Sequence, residues 1–381
     1  MWPLLTLAFG AFIAQTTEYL PIGLLPQIGF EFDVPKGMVG GLVTGYAWIA
    51  AITAIPLTLA TARVNRKTLF LVLLGIITLA NTFSAVAPSY ISLAAFRISI
   101  ALTHGVFWSI LASFATRVAP RMSHARATAW VFSGISAAVV GGVPLATAIG
   151  GWVGWRLAFG LFAALGAAAL GAGLVVIPPT SGSSTTNSHA RLSRQNPRLY
   201  GAAIVTLLSL TSHFCSYTFV LPLLDSVVGV VKTELPLLLL IFGIAGIAGN
   251  AAGGSMSGRS QHAVALSVAG IVAAQAMMLF AWKKPILGWF EMAVWGASIS
   301  MLIVGLQSWI LEIAPEEADA ASALYVTMFN MGIGSGALLG GVALDQAGSS
   351  AVLRLGTLCG IASLVVLGLT ARISGVRQTE A

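Results

Sequence analysis

The chain has 381 residues, of which 57% are hydrophobic and only 8% are Asp, Glu, Lys or Arg, with a formal net charge of +7. A soluble globular domain carries about 25% charged residues, so this composition excludes a fold that hides its apolar side chains in a water-soluble core. Nucleic-acid binding is excluded as the meaning of the positive charge, because the basic residues sit in short junctions between apolar runs, where membrane topology accounts for them. Cys215 and Cys359 lie in apolar runs without CxxC spacing, which argues against a disulfide framework or a metal site.

The first apolar run starts at Leu4, has no basic segment before it and continues through Glu18, so no cleavable signal peptide is expected. Apolar runs of helix length then alternate with charged or turn-forming junctions. Spans 1 to 6 are predicted over Leu4 to Pro26, Val39 to Ala62, Thr68 to Ala87, Ser92 to Thr116, Ala127 to Ile149 and Trp155 to Ile177. Residues 178–198, rich in Ser, Thr, Gly and Asn and carrying Arg191 and Arg194, read as a polar linker. Spans 7 to 12 are predicted over Leu199 to Leu221, Leu235 to Met256, Ala263 to Trp282, Leu287 to Ile313, Ala320 to Leu344 and Ala351 to Ala371. The expected fold is an all-α integral membrane protein of twelve transmembrane helices. Two six-helix bundles, residues 1–177 and 199–381, flank a cytoplasmic linker at 178–198. Basic residues set the sidedness: with the N-terminus inside, twelve lie in cytoplasmic junctions, Arg63, Arg66, Arg117 and Arg259 among them, against six outside.

An internal repeat supports the two halves. Gly142, Gly150 and Gly151 in span 5 recur as Gly332, Gly340 and Gly341 in span 11, 190 residues later. The ends of spans 2 and 8 also match, with Thr58, Ala62 and Arg63 set against Gly254, Gly258 and Arg259. Repeated halves with a site between them are a transporter architecture.

Ionisable groups inside a span are costly and mark function by default. Glu18, Arg97, His104 and His213 qualify. Helix rise puts Glu18 and Arg97 at similar depth, where carboxylate and guanidinium are expected to meet. Arg97, Ala101, His104, Gly105 and Trp108 share one face of span 4. A fixed cation, a titratable ring and a buried carboxyl are the parts of a proton-coupled switch. The structural alternatives are a helix-pinning ion pair for Arg97 and hydrogen-bonded core histidines at positions 104 and 213. Hydroxyl-bearing solutes want amides, hydroxyls and flat aromatic faces, and Thr17, Tyr46, Trp108, Ser109, His213, Tyr217, Gln307 and Asn330 are the candidate contacts.

These residues carry a resemblance. Thr16-Thr17-Glu18-Tyr19 in span 1, Tyr46-Ala47-Trp48 in span 2, Arg97 with His104-Gly105-Val106-Phe107-Trp108-Ser109 in span 4, Gly142-Val143-Pro144 in span 5 and Phe329-Asn330 with Gly332 and Gly334 in span 11 resemble the major facilitator superfamily. Within it, the chain is similar to the drug-and-sugar proton antiporter branch and its bacterial sugar efflux transporters. The resemblance implies alternating access, with sugar-like solutes leaving the cell and protons entering. It also implies the bilayer of a bacterial inner membrane, both termini in the cytoplasm, a monomer and no cofactor. Carried over by position, Glu18, Arg97 and His104 would couple protons, while Gly142, Pro144, Arg63 and Arg66 would serve conformational change. An exporter of drugs or nucleosides on the same scaffold is the alternative reading. One departure stands out: Ala62 occupies the place of an aspartate usual in the loop after span 2. No protease, hydrolase or nucleotide-binding motif is present, so an enzyme is not expected.

Overall fold

A computed structural model describes residues 1–122, 124–178, 196–256, 258–280, 284–315 and 318–379. Most of the expected linker, with Arg191 and Arg194, lies outside the described residues. Among the described residues all regular elements are helical. The first half holds α1 (Trp2–Phe32), α2 (Lys36–Ala60), α3 (Arg66–Ala85), α4 (Tyr90–Val118), α5 (His124–Ala137), a π-helical turn (Ala138–Gly142), α6 (Val143–Val153) and α7 (Trp155–Val176). The second holds α8 (Pro197–Tyr217), a short α9 (Val220–Leu223), a second π-helical turn (Leu224–Val228), a 3-10 turn (Lys232–Glu234), α10 (Leu235–Ser255), α11 (Ser260–Phe280), α12 (Pro285–Ile313), α13 (Ala318–Ala347) and α14 (Ser349–Thr379).

Eleven helical stretches among the described residues are long and apolar enough to cross a membrane. The 31-residue α1 is not one of them, because the polar run Gln15-Thr16-Thr17-Glu18 interrupts its apolar sequence. Its length still exceeds the ~20 residues that a bilayer requires. Apolar side chains crowd the outside, among them Val175 at 86% and Phe280 at 85% exposure. Polar groups such as Asn81, Ser212 and Gln275 are wholly buried. A protein solvated by lipid has this distribution, since the bilayer satisfies apolar surface and leaves polar groups to find partners inside.

Two prolines and one glycine shape the helices of the first half. Pro144 cannot donate to the carbonyl four residues back, and its ring crowds that carbonyl. The chain widens into a π-helical turn just before it, with Val143 N–H reaching back to the carbonyl of Ala138. The missing hydrogen bond at Pro144 is thus absorbed by a π-turn that joins α5 to α6 as one interrupted span. Pro21 lies inside α1, where it leaves the carbonyl of Thr17 without its helical donor. Gly154 separates α6 from α7 at φ 96° and ψ 151°, a region open essentially to glycine alone.

The chain divides into two units, Met1–Val34 with Gly45–Asn187 and Pro35–Thr44 with Ser188–Ala381. In the first, α1 packs against α4, α5, α6 and α7, and α3 packs against α4 and α7. In the second, α8 packs against α13 and α14, while α12 packs against α10 and α11. The start of α2 belongs to the second unit because its backbone lies directly on α13. Gly37 N–H donates to Asp345 Oδ1 at 2.9 Å. A Cβ at Gly341 would meet the Gly37 backbone, and one at Gly40 would meet the ring of Phe219.

Candidate functional site

In the first unit, α1, α2, α3 and α4 bring one connected set of polar side chains together. Arg97 on α4 is 1% exposed and spends its guanidinium on backbone. Its Nη1 donates to the carbonyl of Thr17 at 2.5 Å and its Nη2 to the carbonyl of Glu18 at 2.8 Å. The first of these carbonyls is the one that Pro21 deprives of a helical partner. A planar fork suits two adjacent acceptors in a way an ammonium does not. The guanidinium also lies over the Tyr46 ring, 4.7 Å from its centroid.

This corrects the expectation that Arg97 and the Glu18 carboxylate form a pair. The Arg97 guanidinium goes to the carbonyls of Thr17 and Glu18, not to the Glu18 carboxylate. Equal depth was the right inference from helix rise, but the proline-freed carbonyl competes for the same donor. The Glu18 carboxyl instead accepts from Gln15 Nε2 at 3.0 Å, and its Oε2 lies 3.9 Å from His104 Nδ1. That nitrogen is closer to Tyr46, whose hydroxyl is 2.9 Å away. Nδ1 of His104 thus stands between a phenol on α2 and a carboxyl on α1. A small rotation of the ring exchanges one partner for the other.

Thr17 is wholly buried and accepts from Asn81 Nδ2 of α3 at 2.9 Å. Asn81 went unnoticed in the sequence, although an amide inside an apolar span is a signal of its own. Trp108 is half-buried, edge-on to His104 at 6.1 Å and stacked near Phe132 at 6.4 Å between centroids. Ser109 is exposed and shares a 3.1 Å hydrogen bond with Thr58. Gly142, at the end of the π-turn, abuts the side chain of Thr16, so a Cβ there would collide with it. Arg63 is exposed and Arg66 buried, both at the turn from α2 to α3.

The second unit repeats part of this plan with other residues. Gln275 Nε2 on α11 donates to the carbonyl of Ser212 on α8 at 2.9 Å. Asn81 and Gln275 are 194 residues apart, and Thr17 and Ser212 are 195 apart, so the same tether between third and first helix occurs twice. His213, in the place of Glu18, is 2% exposed and boxed by Phe214, Tyr217, Phe242 and Trp295. Trp295 Nε1 donates to its Nδ1 at 3.0 Å. Tyr217 is buried in the same cluster. Asn330 turns its amide nitrogen to the Val326 carbonyl at 3.0 Å, and Gln307 is exposed on α12. The eight candidate solute contacts are thus split between exposed side chains, such as Ser109 and Gln307, and side chains sealed in helix packing, such as His213 and Tyr217.

Comparison with known proteins adds lineage to geometry. Residues 7–337 match the family model described as Major Facilitator Superfamily. A "Probable sugar efflux transporter" of Helicobacter pylori (strain G27) is 33% identical over 364 residues, covering 94% of this chain and 92% of the relative. The same name attaches to a relative in Helicobacter acinonychis (strain Sheeba), 33% identical over 94% of this chain and 92% of its own length. Among solved structures, the nucleoside transporter NupG (D323A mutant) superposes with a TM-score of 0.78 at 14% identity, over 97% of this chain and 98% of that one. A bacterial homolog to the human lysosomal transporter Spinster, crystallised inward-facing and occupied, does so at 0.72 and 18% identity, over 99% and 96%. At such identities these two likenesses concern the fold alone. A family match over most of the chain, helical membrane architecture and the named relatives agree: the chain is a multi-pass membrane transporter that belongs to the Major Facilitator Superfamily.

Proposed function

We propose that this transporter exports sugars or sugar-like small solutes across a bacterial inner membrane, as a monomer with both termini in the cytoplasm, in exchange for protons that pass through the Glu18, His104 and Tyr46 cluster. The solute class is supported by the names of the relatives and, in the first unit, by the aromatic face of Trp108 beside the hydroxyls of Ser109 and Thr58, which suit a ligand with hydroxyls and apolar ring edges. Coupling rests on a single observation: His104 Nδ1 lies within 2.9 Å of a phenol and 3.9 Å of a carboxyl. With the ring neutral, Tyr46 donates to Nδ1 and Glu18 is left with Gln15. With the ring protonated, Nδ1 becomes a donor and its favourable partner is the Glu18 carboxylate. Arg97 takes no proton in this scheme. It holds α1 to α4 so that the distances within the switch stay fixed. Alternating access then exposes the cluster to one side or the other, and a ligand shifts that equilibrium only through its differential affinity for the two states.

The test is solute-dependent proton flux in proteoliposomes across a panel of sugars. A sugar that drives protons in the opposite direction supports the reading. Tyr46→Phe removes one hydrogen bond to the ring and is expected to slow uphill export by about tenfold while leaving downhill exchange intact, the size of effect that ~1.4 kcal/mol produces. Glu18→Gln is expected to bind solute and to lose uphill export. Undiminished proton-driven export by Glu18→Gln and by His104→Gln would remove both residues from the coupling.

A further inference from the structure

Outside this cluster, Glu291 is an ionisable side chain sealed without a partner among the described residues. Glu291, near the start of α12, has 0% exposure, and both of its carboxyl oxygens are buried without a hydrogen-bond partner. In the sequence it stands close to the start of span 10, where an ionisable residue is not conspicuous. The elements packed on α12 are α8, α10, α11, α13 and the second π-turn. None of them offers a cation. No ionisable residue occurs in α10, and His262 of α11 and Arg198 of α8 stand at the far ends of their helices. His213 of α8 is engaged by Trp295, and Tyr217 lies in the same aromatic cluster. On α13, the Tyr325 hydroxyl donates to the Ile303 carbonyl, Asp345 accepts from Gly37, and Asp319 belongs to the opposite end. Asp225 of the π-turn, Lys232 and Lys284 are exposed.

The duplicated plan sharpens the contrast. Glu291 stands 194 residues after Arg97, the offset that also relates Gln275 to Asn81. Where the first unit places a donor that binds two carbonyls, the second places a carboxyl. An ionised carboxylate is acceptor-only and finds no donor there among the described residues. Burying it unpaired costs several kcal/mol, which a neutral acid avoids.

We propose that Glu291 is a second proton-binding site, in the second unit, which keeps its proton while the helices around it are closed and releases it to water when they part. On release the O–H bond breaks and its electron pair remains on the carboxylate. The closure is visible one turn earlier, where Gly288 packs under Leu224, Val228 and Val230, side chains of the second π-turn and the residues that follow it. π-Turns inside helices are frequent at functional sites, and this one is the part of the wall able to move without breaking a regular helix. Four residues on from Glu291, Trp295 reaches His213, so the carboxyl shares a helix face with a polar group in the unit's core.

The role in transport rests on the proton-coupled reading given above, whereas the bound proton does not. Infrared spectroscopy of the full-length protein in lipid bilayers at neutral pH is expected to contain a protonated-carboxyl C=O stretch that Glu291→Gln removes and Glu18→Gln leaves in place. In proteoliposomes, Glu291→Gln is expected to move fewer protons per solute than the unmodified chain. Glu291→Leu is the second variant; under the proposal each replaces one neutral group by another, so both insert and fold. Absence of a band assignable to Glu291 would overturn the proposal, as would an unchanged proton count per solute in the variants or misfolding of both. Loss of coupling in Glu18→Gln bears on the first unit only, so the two readings fail separately.

Discussion

Arg97 illustrates how one residue is committed by another far away in sequence. Its guanidinium goes to the carbonyls of Thr17 and Glu18, and the proline four positions after Thr17 explains why the first of those carbonyls is free. Depth in the membrane was legible from helix rise, and so was the face shared by Arg97, His104 and Trp108. The choice between carboxylate and carbonyl was not, because both lie on the same turn of α1 and only side-chain geometry separates them. A lysine in this place keeps the charge and loses the fork. Arg97→Lys is therefore expected to lower the stability of the first unit by roughly 1–3 kcal/mol, the cost of leaving a buried acceptor unmet. The measurement is thermal unfolding in detergent, and an unchanged midpoint would mean that the two hydrogen bonds do not hold α1 to α4.

At the scale of the element, the repeated glycines show what the duplication preserves. Gly142 lies against Thr16 of α1, and Gly340 lies against the carbonyl of Cys215 on α8. In both units a small residue of the fifth span thus lets it pack closely on the first span, against a side chain at Gly142 and against backbone at Gly340. The spacing Gly142 to Gly150 and Gly332 to Gly340 was visible in the sequence; the partner helix was not. Gly340→Leu drives a side chain into the backbone of α8 and is expected to cost about 1–3 kcal/mol by overpacking. Glycine-to-leucine substitution at Gly171, where a Cβ meets open space, serves as the control and is expected to leave thermal stability unchanged. Gly154 belongs to a different class, since no atom lies near its missing Cβ and its backbone angles alone demand glycine.

For the whole molecule, sidedness is the statement most open to direct test. Lys36 and Arg63 are both exposed and mark opposite ends of α2, a helix about 37 Å long at 1.5 Å rise per residue. Under the proposed topology, which rests on the balance of basic residues, Arg63 is cytoplasmic. In intact cells, Lys36→Cys is expected to react with a membrane-impermeant thiol reagent and Arg63→Cys to be protected until the membrane is opened. The reverse pattern would invert the topology and with it the direction assigned to export.

Composition, apolar periodicity and the glycine repeat alone determined a helical membrane protein with related halves, because a bilayer admits few solutions for backbone polar groups and spans must be long and apolar. The same signals located Glu18, Arg97 and His104, since an ionisable residue in an apolar run is conspicuous. Other features were decided only by the tertiary structure. Among them are the π-turn that absorbs Pro144, the docking of the start of α2 on α13, and the amide tethers from Asn81 and Gln275. The isolation of Glu291 is another. Each depends on which side chain reaches a particular carbonyl, amide or gap across neighbouring helices, and hydropathy records the face and depth of a residue but not the partner it meets.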